Sequence, residues 1–197
     1  ADEVLTGFGR TGRMFACEHA GVTPDIICLS KGLTAGYLPL GATGTTESIY
    51  KAFLADDRLK TFFHGHSYTA NPLACAVALA SLKLFRTEDT LERVGALERR
   101  LSRRLECLRS LPHVGDLRVI GGVGIIELVE DKKTAAAGVY FDRSGPHLAQ
   151  EFLRRGLLLR PLGNVLYFMP PYIINDEETE WALDQIEEVL QSWHWPC

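Results

Sequence analysis

Short apolar runs alternate with glycine-rich turns over residues 1–85. The runs at 25–29 and 40–45 have the length of strands, and residues 72–85 continue as a helical stretch. Brief apolar runs bounded by turns indicate strands, whereas longer periodic stretches indicate helices. A sheet layered with helices, an α/β arrangement, is therefore predicted for this part of the chain.

A second pattern begins at Thr90, where apolar residues recur every three or four positions. Arginine and glutamate occupy the positions between them, including basic pairs at 99–100 and 103–104. This spacing predicts an amphipathic helix, and it favours a solvated helix face over a binding surface for the basic pairs. The apolar positions are Leu91, Val94, Leu97, Leu101, Leu105 and Leu108.

The helical pattern breaks at 112–116, and a β-rich run with three glycines follows over 119–129. Such breakers predict a boundary near residue 110. We therefore expect two domains, which cover residues 1–110 and 111–197.

The second predicted domain is a small α+β unit. A helix is expected over 147–155, with strands at 157–160 and 165–168. The closing helix is indicated by Asn175 or Asp176 as its cap and by apolar residues at helical spacing. Those apolar residues are Leu183, Ile186, Leu190 and Trp193.

Composition narrows the class of protein. With 46% hydrophobic residues, 23% charged residues and a net charge of −4, the chain gives no reason to expect nucleic acid or an anionic membrane as a partner. No apolar run approaches the length of a membrane span. The scattered cysteines predict free thiols and a cytoplasmic location. They are Cys17, Cys28, Cys75, Cys107 and Cys197.

The first candidate for chemistry is Lys31, which ends an apolar run and precedes Gly32. An amine at the end of a buried strand can form a Schiff base, because lost hydration favours its neutral form. If Asp2 ends a neighbouring strand, its carboxylate could keep the ring nitrogen of a pyridine cofactor protonated. From spacing alone, a surface lysine and a capping aspartate are the ordinary alternatives.

Residues 7–12 read Gly-Phe-Gly-Arg-Thr-Gly, which matches the dinucleotide-binding fingerprint. A true fingerprint lies between a strand and a helix. The stretch before Gly21 and Pro24 is too short for that helix, so a nicotinamide or flavin nucleotide is the weaker interpretation. We expect a loop near the cofactor instead, with Arg10 within reach of substrate.

His64 and His66 are two residues apart, so on a strand they would face the same way. A closed zinc site needs four ligands. The sequence offers no third and fourth ligand at a convincing spacing, and no metal is therefore expected.

Residues 2–12, 24–32 and 64–74 resemble the class III aminotransferases in order and spacing, and residues 159–174 narrow the resemblance. The family implies the type I fold of pyridoxal-phosphate-dependent transferases. Under that resemblance the chain is the C-terminal part of the large domain, a mainly parallel sheet with helices, followed by a small α+β domain. An N-terminal half would precede it, so full activity is not expected of this chain alone.

The resemblance assigns pyridoxal 5'-phosphate to Asp2, Lys31, His66 and Ser67. Lys31 would form a Schiff base with the cofactor and then move a proton as general base, while Asp2 would hold the protonated ring. The Ser67 hydroxyl would donate to the cofactor phosphate across a subunit interface. A homodimer with shared active sites is therefore implied.

Substrate contacts are implied at Arg10, Gly65, Arg160 and Tyr167. Arg160 ends the apolar run 157–159, and its planar guanidinium suits a carboxylate better than an ammonium would. A structural salt bridge is the alternative for Arg160. Tyr167 would line the acceptor pocket, although an ordinary core tyrosine fits the same pattern.

The residues at 159–174 imply a reaction as well as a family. The resemblance that they carry implies amination of 8-amino-7-oxononanoate to 7,8-diaminononanoate in biotin biosynthesis, with S-adenosylmethionine or lysine as amino donor. Another class III ω-aminotransferase, acting on ornithine or 4-aminobutyrate, is one alternative. A non-catalytic fragment is the other.

Overall fold

The computed structural model describes residues 1–134 and 144–194. The chain divides into two compact units, Ala1–Glu92 and Arg93–Cys197. Mixed helix and sheet are present, as the sequence predicts, and each unit has its own apolar core.

The first unit contains two antiparallel strands, β1 (Ile26–Leu29) and β2 (Ala42–Thr45), at the predicted runs. Parallel pairing, which the family resemblance implies as the main kind, is limited among the described residues to one bridge between Asp2 and Cys28. The reason lies in the connection from β1 to β2. It holds only the 3-10 helix Lys31–Thr34, which is too short for the crossover that parallel neighbours need.

Two α-helices complete the first unit, the short α1 (Glu47–Lys51) and the longer α2 (Pro72–Thr87). The side-chain oxygen of Asn71 accepts hydrogen bonds from two backbone amides at the start of α2, at 3.0 and 3.1 Å. Pro72 needs no such acceptor, because it has no amide hydrogen. The predicted helix over 72–85 is therefore confirmed.

The core of the first unit is small. Phe8, Leu33 and Ala78 are its buried members, and the remaining apolar side chains around them are only partly buried. These partly buried residues are Met14, Phe15, Leu29, Leu40, Leu82 and Phe85.

The amphipathic helix predicted from Thr90 is α3 (Thr90–Leu105), followed by a 3-10 helix over Glu106–Ser110. Its residues Leu101 and Leu105 are buried in the core of the second unit. The two units therefore divide near the start of α3, whereas the sequence predicts a boundary near residue 110. The difference arises because α3 packs with the residues that follow it.

The second unit is built on a three-stranded antiparallel sheet in the order β3-β4-β5. The strands are β3 (Val114–Ile120), β4 (Val123–Leu128) and β5 (Val165–Phe168). Strand β5 has the predicted bounds. Helices α4 (Ser144–Arg154) and α5 (Asp176–Gln191) contribute Phe152, Ile186 and other buried residues to the same core as the sheet.

The strand predicted at 157–160 is wrong. Leu157 and Leu159 are buried while Leu158 is exposed, so burial alternates as it does along an extended segment. However, the amide of Leu157 donates to the carbonyl of Phe152 at the end of α4, and this stretch joins no sheet. Alternating burial therefore reports which side of an extended segment faces the core, and not whether a partner strand exists.

Helix α5 begins where the sequence predicts. The side chain of Asn175 accepts from the Glu178 amide at 2.8 Å, and the Glu178 carboxylate accepts from the Asn175 amide at 3.0 Å. This reciprocal pair is a capping box, which satisfies two amides that the helix leaves unpaired. No helix in the described ranges is long and apolar enough to cross a membrane.

Candidate active site

Asp2 lies alongside β1, the strand that leads to Lys31. The Cys28 amide donates to the carbonyl of Ala1 at 2.9 Å, and the Glu3 amide donates to the carbonyl of Cys28 at 3.0 Å. These two bonds form the parallel bridge that flanks Asp2. The predicted placement of Asp2 beside the strand of Lys31 is therefore present in the structure.

The Asp2 carboxylate is exposed and oriented by its own backbone. Its Oδ1 accepts a hydrogen bond from the Val4 amide at 3.0 Å. A bond between an aspartate side chain and the amide two residues on stabilises a turn. The chain turns away immediately after the bridge, which leaves the carboxylate at the end of the paired segment.

Lys31 is exposed, and the prediction that it closes a buried strand is wrong. Every residue of β1 is exposed or half-buried, because β2 and the single bridge at Asp2 are the partners that the described chain supplies. Lys31 also has a φ of 42°, in the left-handed region that side chains disfavour. Outliers of this kind concentrate at functional sites.

Glu3 is the site neighbour that sequence reasoning missed. It is only 2% exposed, and its carboxylate accepts from the Thr6 hydroxyl at 2.5 Å, the Ala16 amide at 3.0 Å and the Cys17 amide at 2.7 Å. Burial raises the pKa of Glu3, but these bonds outweigh burial and hold the pKa below its ordinary value. Neighbouring residues of an extended segment point to opposite faces, so the position of Glu3 directly after Asp2 was the signal that could have placed its carboxylate on the inner face.

The loop at residues 7–12 has no fingerprint geometry. A 3-10 helix of five residues, Ala16–Ala20, follows it instead of an α-helix. Gly9 and Gly12 have φ values of 88° and 86°, which only glycine adopts easily. Arg10 is half-buried within this loop. The weaker nucleotide interpretation therefore lacks the helix that would hold a diphosphate.

The predicted residues Gly65, His66 and Ser67 lie in an exposed loop and turn, not on a strand. The His66 amide donates to Thr69 Oγ1 at 2.9 Å, and His66 Nδ1 accepts from the Tyr68 amide at 3.1 Å. The Ser67 hydroxyl makes no hydrogen bond to another described residue. In the described part of the chain, no group of three or more His, Cys, Asp or Glu side chains is arranged to hold a metal ion.

An open cavity of about 1330 Å³ lies in the first unit. Gly65 and His66 line it, and so does Ser30, the residue before Lys31. Most of its other walls are apolar side chains, such as Tyr50, Phe53 and Phe62. The cavity is large enough for a cofactor or substrate, since ligand sites commonly measure 300–1,000 Å³.

The remaining predicted contacts, Arg160 and Tyr167, belong to the second unit. Arg160 is exposed at the end of the extended segment 157–160, and no carboxylate in the described ranges lies within ion-pair distance of it. The structural salt bridge considered for Arg160 is therefore absent there. Tyr167 is half-buried on β5, opposite Ile125.

Two relatives found by comparison with known sequences have the same name. The chain is 48% identical over 193 residues to the adenosylmethionine-8-amino-7-oxononanoate aminotransferase of Geobacter sulfurreducens, covering 98% of this chain and 43% of the relative. It is 52% identical over 183 residues to the protein of the same name from Nitratidesulfovibrio vulgaris, covering 91% of this chain and 33% of the relative. The chain thus spans less than half the length of these relatives.

Solved structures agree. The crystal structure of adenosylmethionine-8-amino-7-oxononanoate aminotransferase from Methanocaldococcus jannaschii matches at 42% identity with a TM-score of 0.90, over 96% of this chain and 44% of that one. A PMP-bound aminotransferase from Vibrio fluvialis matches at 31% identity with a TM-score of 0.89, over 97% and 42%. These neighbours confirm the predicted transaminase fold. The aminotransferase class-III family itself matches residues 1–190, and the chain therefore belongs to that family.

Proposed function

We propose that this chain is part of a pyridoxal-phosphate-dependent enzyme that aminates 8-amino-7-oxononanoate to 7,8-diaminononanoate in biotin biosynthesis. The observation that carries the proposal is the placement of Asp2 beside the strand that leads to Lys31. The shared name of the relatives described above supplies the choice of acceptor. S-adenosylmethionine is the proposed donor, and lysine is the alternative donor.

The described residues fit pyridoxal 5'-phosphate by their chemistry. Lys31 offers an exposed amine, Asp2 an exposed carboxylate, and Ser67 an exposed hydroxyl that has no hydrogen bond to a described residue. When bound, the cofactor supplies a protonated pyridine ring that withdraws electrons from the substrate carbon. The amine can react with the cofactor aldehyde, the carboxylate can accept a hydrogen bond from the protonated ring nitrogen, and the hydroxyl can donate to the phosphate.

Each proposed role follows from one of these groups. Asp2 holds a proton on the ring nitrogen, because a carboxylate raises the pKa of a nitrogen base beside it. The Lys31 amine first anchors the cofactor and then, once free, takes and returns the proton of the reacting carbon. His66 and Ser67 hold the cofactor phosphate, Ser67 through its hydroxyl.

Substrate recognition is proposed for the other predicted residues. Arg160 binds a carboxylate through its guanidinium, which is exposed and makes no ion pair with a described residue. Tyr167 lines the acceptor pocket through its half-buried ring. Gly65 and Arg10 are the remaining proposed substrate contacts. Gly65 lines the open cavity described above.

We also propose a cytoplasmic homodimer in which the two chains share their sites. Leu59, Phe63 and Tyr68 are 93%, 85% and 76% exposed in the segment that contains Ser67. Exposed apolar clusters of this kind mark protein interfaces. Analytical ultracentrifugation should give the mass of two chains, and Phe63→Asp should shift the mass to that of one.

A product assay tests the proposed reaction. The chain, and the same chain extended by the N-terminal residues of the Geobacter sulfurreducens relative, are supplied with pyridoxal phosphate, 8-amino-7-oxononanoate and either donor. Mass spectrometry should detect 7,8-diaminononanoate with the wild type and none with Lys31→Ala. Cofactor bound without this product from either form would contradict the proposed acceptor.

A second candidate function is a different ω-aminotransferase. An (S)-enantioselective omega-transaminase from Thermomicrobium roseum shares the fold with a TM-score of 0.90, although its identity to this chain is 35%. Turnover of 4-aminobutyrate or ornithine in the same assay, without turnover of 8-amino-7-oxononanoate, would favour this candidate.

A further inference from the structure

Phe8 occupies an unusual position in the loop that imitates a nucleotide fingerprint. Its side chain is only 3% exposed, and its ring packs edge-on against Phe15 with centroids 5.8 Å apart. Its φ is 58°, in the region where a side chain is strained. A buried aromatic residue in such a conformation must be held by its surroundings, since the strain otherwise relaxes.

Gly32 lies against Phe8, with too little space between them for a side chain. A Cβ atom at Gly32 would lie 2.8 Å from Phe8 Cβ and 3.1 Å from Phe8 Cδ2, so any side chain there would clash. On its other side, the carbonyl of Gly32 accepts a hydrogen bond from the hydroxyl of Ser81, which is buried in α2, at 3.3 Å. Gly32 is thereby fixed between the loop and α2.

Lys31 lies between two fixed residues. Gly32 follows it, and Ser30 precedes it with a hydroxyl that donates to the carbonyl of Leu40 at 2.7 Å. Lys31 itself has the left-handed φ of 42°. Its backbone cannot relax to an ordinary conformation without displacing Gly32 from Phe8 or Ser30 from Leu40.

We propose that Phe8 and Gly32 form a steric latch that holds the Lys31 backbone in its left-handed conformation. Phe8 is thus a positioning residue, and the apparent fingerprint is the support of the reactive lysine. Because it concerns the reactive amine, this positioning role rests on the proposed function. The latch itself concerns the cofactor-free chain and can be tested there.

Two substitutions at position 31 test the strain directly. Glycine adopts a positive φ without cost and alanine does not, so Lys31→Gly should melt about 2–4 °C higher than Lys31→Ala in thermal unfolding without cofactor. Ordinarily a glycine in place of alanine lowers stability, because it adds freedom to the unfolded chain. A lower or equal melting temperature for Lys31→Gly would overturn the latch.

A double-mutant cycle tests the contact between the two residues. Gly32→Ala should lower the melting temperature in the wild-type background. In the Phe8→Gly background the clashing atoms are gone, so Gly32→Ala should leave the melting temperature unchanged or raise it slightly, because alanine restricts the unfolded chain. Gly41→Ala is the matched control, because its nearest neighbour, the Leu29 carbonyl, is 3.8 Å from the added Cβ. Equal losses for Gly32→Ala and Gly41→Ala would overturn the latch.

The positioning role needs a chemical readout. Ser81→Ala removes the hydrogen bond to Gly32 and keeps the fold, so borohydride fixation of pyridoxal phosphate on Lys31 should slow at least threefold. Fixation on the exposed Lys51 should stay unchanged. Unchanged fixation on Lys31 would overturn the positioning role of the latch. No fixation on Lys31 even in the wild type would overturn the proposed function and the positioning role together, and the melting temperatures would still decide whether the latch exists.

Discussion

The two units of the chain use their apolar residues differently. The second unit buries leucines, Phe152 and Trp193 from one sheet and three helices in a single core. The first unit buries few, and most of the large hydrophobic side chains that are exposed among the described residues belong to it. The first unit also contains every described non-glycine residue with a positive φ.

This contrast indicates that the second unit contributes mainly stability, whereas the first unit contains most of the proposed chemistry. Close packing stabilises a regular scaffold, whereas strained backbone and uncovered apolar surface are tolerated where a site must be presented. Lys31 and Phe8 lie in the strained unit, and the proposed carboxylate contact, Arg160, lies on the regular one. Mutations should therefore affect the two units through different mechanisms.

The largest effect is expected from truncation of the dense core. Phe152 in α4 is fully buried, so Phe152→Ala should lower the free energy of unfolding by about 3–5 kcal/mol. Urea unfolding followed by far-ultraviolet circular dichroism measures this, because both units contain α-helices that contribute to the signal. Phe63→Ala, at an 85% exposed residue of the first unit, should change stability by less than about 0.5 kcal/mol in dilute protein. Equal losses would contradict the contrast in packing.

The next effect concerns the buried carboxylate of the first unit. Glu3→Gln should cost about 1.5–3 kcal/mol at pH 7, because the Thr6 hydroxyl and the half-buried amides of Ala16 and Cys17 lose a charged acceptor. The folded-state pKa of Glu3 is depressed, so its contribution is present above the unfolded-state pKa of about 4.3 and is lost as pH falls through the folded-state value.

Hydrogen exchange at the Ala16 and Cys17 amides should report the loss of Glu3 locally. Glu18→Gln is the matched control, because the exposed Glu18 carboxylate accepts from the Phe15 amide at 2.8 Å and its loss should matter less. The account fails here if the stability gap between wild type and Glu3→Gln stays constant from pH 7 to pH 3.

An intermediate effect is expected from the ion pairs that join α3 to α5. Arg104 contacts Glu180 at 2.7 Å, Glu187 at 3.4 Å and Asp184 more closely still. Arg104→Met should cost about 1–2 kcal/mol, because several weak pairs act on one guanidinium. Lys51→Met, which removes an exposed pair with Glu47 at 3.5 Å, should cost less than about 0.5 kcal/mol in the same urea titration.

The smallest expected effect is a pH dependence of the stability of the second unit. Burial lowers the pKa of His113 below its ordinary value, and His194 and Lys132 lower it further, against a hydrogen bond to the Leu190 backbone. Stability from neutral His113 is therefore present above the unfolded-state pKa of about 6.5 and is lost as pH falls from there toward the folded-state value. His113→Gln should weaken the dependence of the free energy of unfolding on pH between these two values. His147 is exposed, and His147→Gln should leave that dependence unchanged.

Sequence reasoning succeeded where the controlling interactions are local. The cap at Asn175 and helix α2 depend on neighbouring residues, and both were predictable. Strand β5 was predicted from its own apolar residues, although its partner β4 is distant in the chain. The segment 157–160 was not, because a strand requires a partner and its pattern records only burial. The position of Asp2 beside β1 was predictable only through family resemblance.

The finer features of the candidate site depend on distant contacts. The left-handed φ of Lys31 is tied to Phe8 and Ser81, and the burial of Glu3 to the amides of Ala16 and Cys17. No periodicity or spacing encodes such contacts, since they arise only when the loop at 7–12 folds back on the chain. Cys17, Cys28, Cys75 and Cys107 are free thiols, as predicted, and Cys197 lies outside the described residues.

The central claim is that Lys31 carries the cofactor. The most direct measurement is the visible spectrum of the chain with pyridoxal phosphate, followed by borohydride reduction and peptide mapping. The account predicts an absorption band that Lys31→Ala abolishes, with the reduced cofactor fixed on Lys31. Label spread over exposed lysines such as Lys51, or a band that survives in Lys31→Ala, would contradict it.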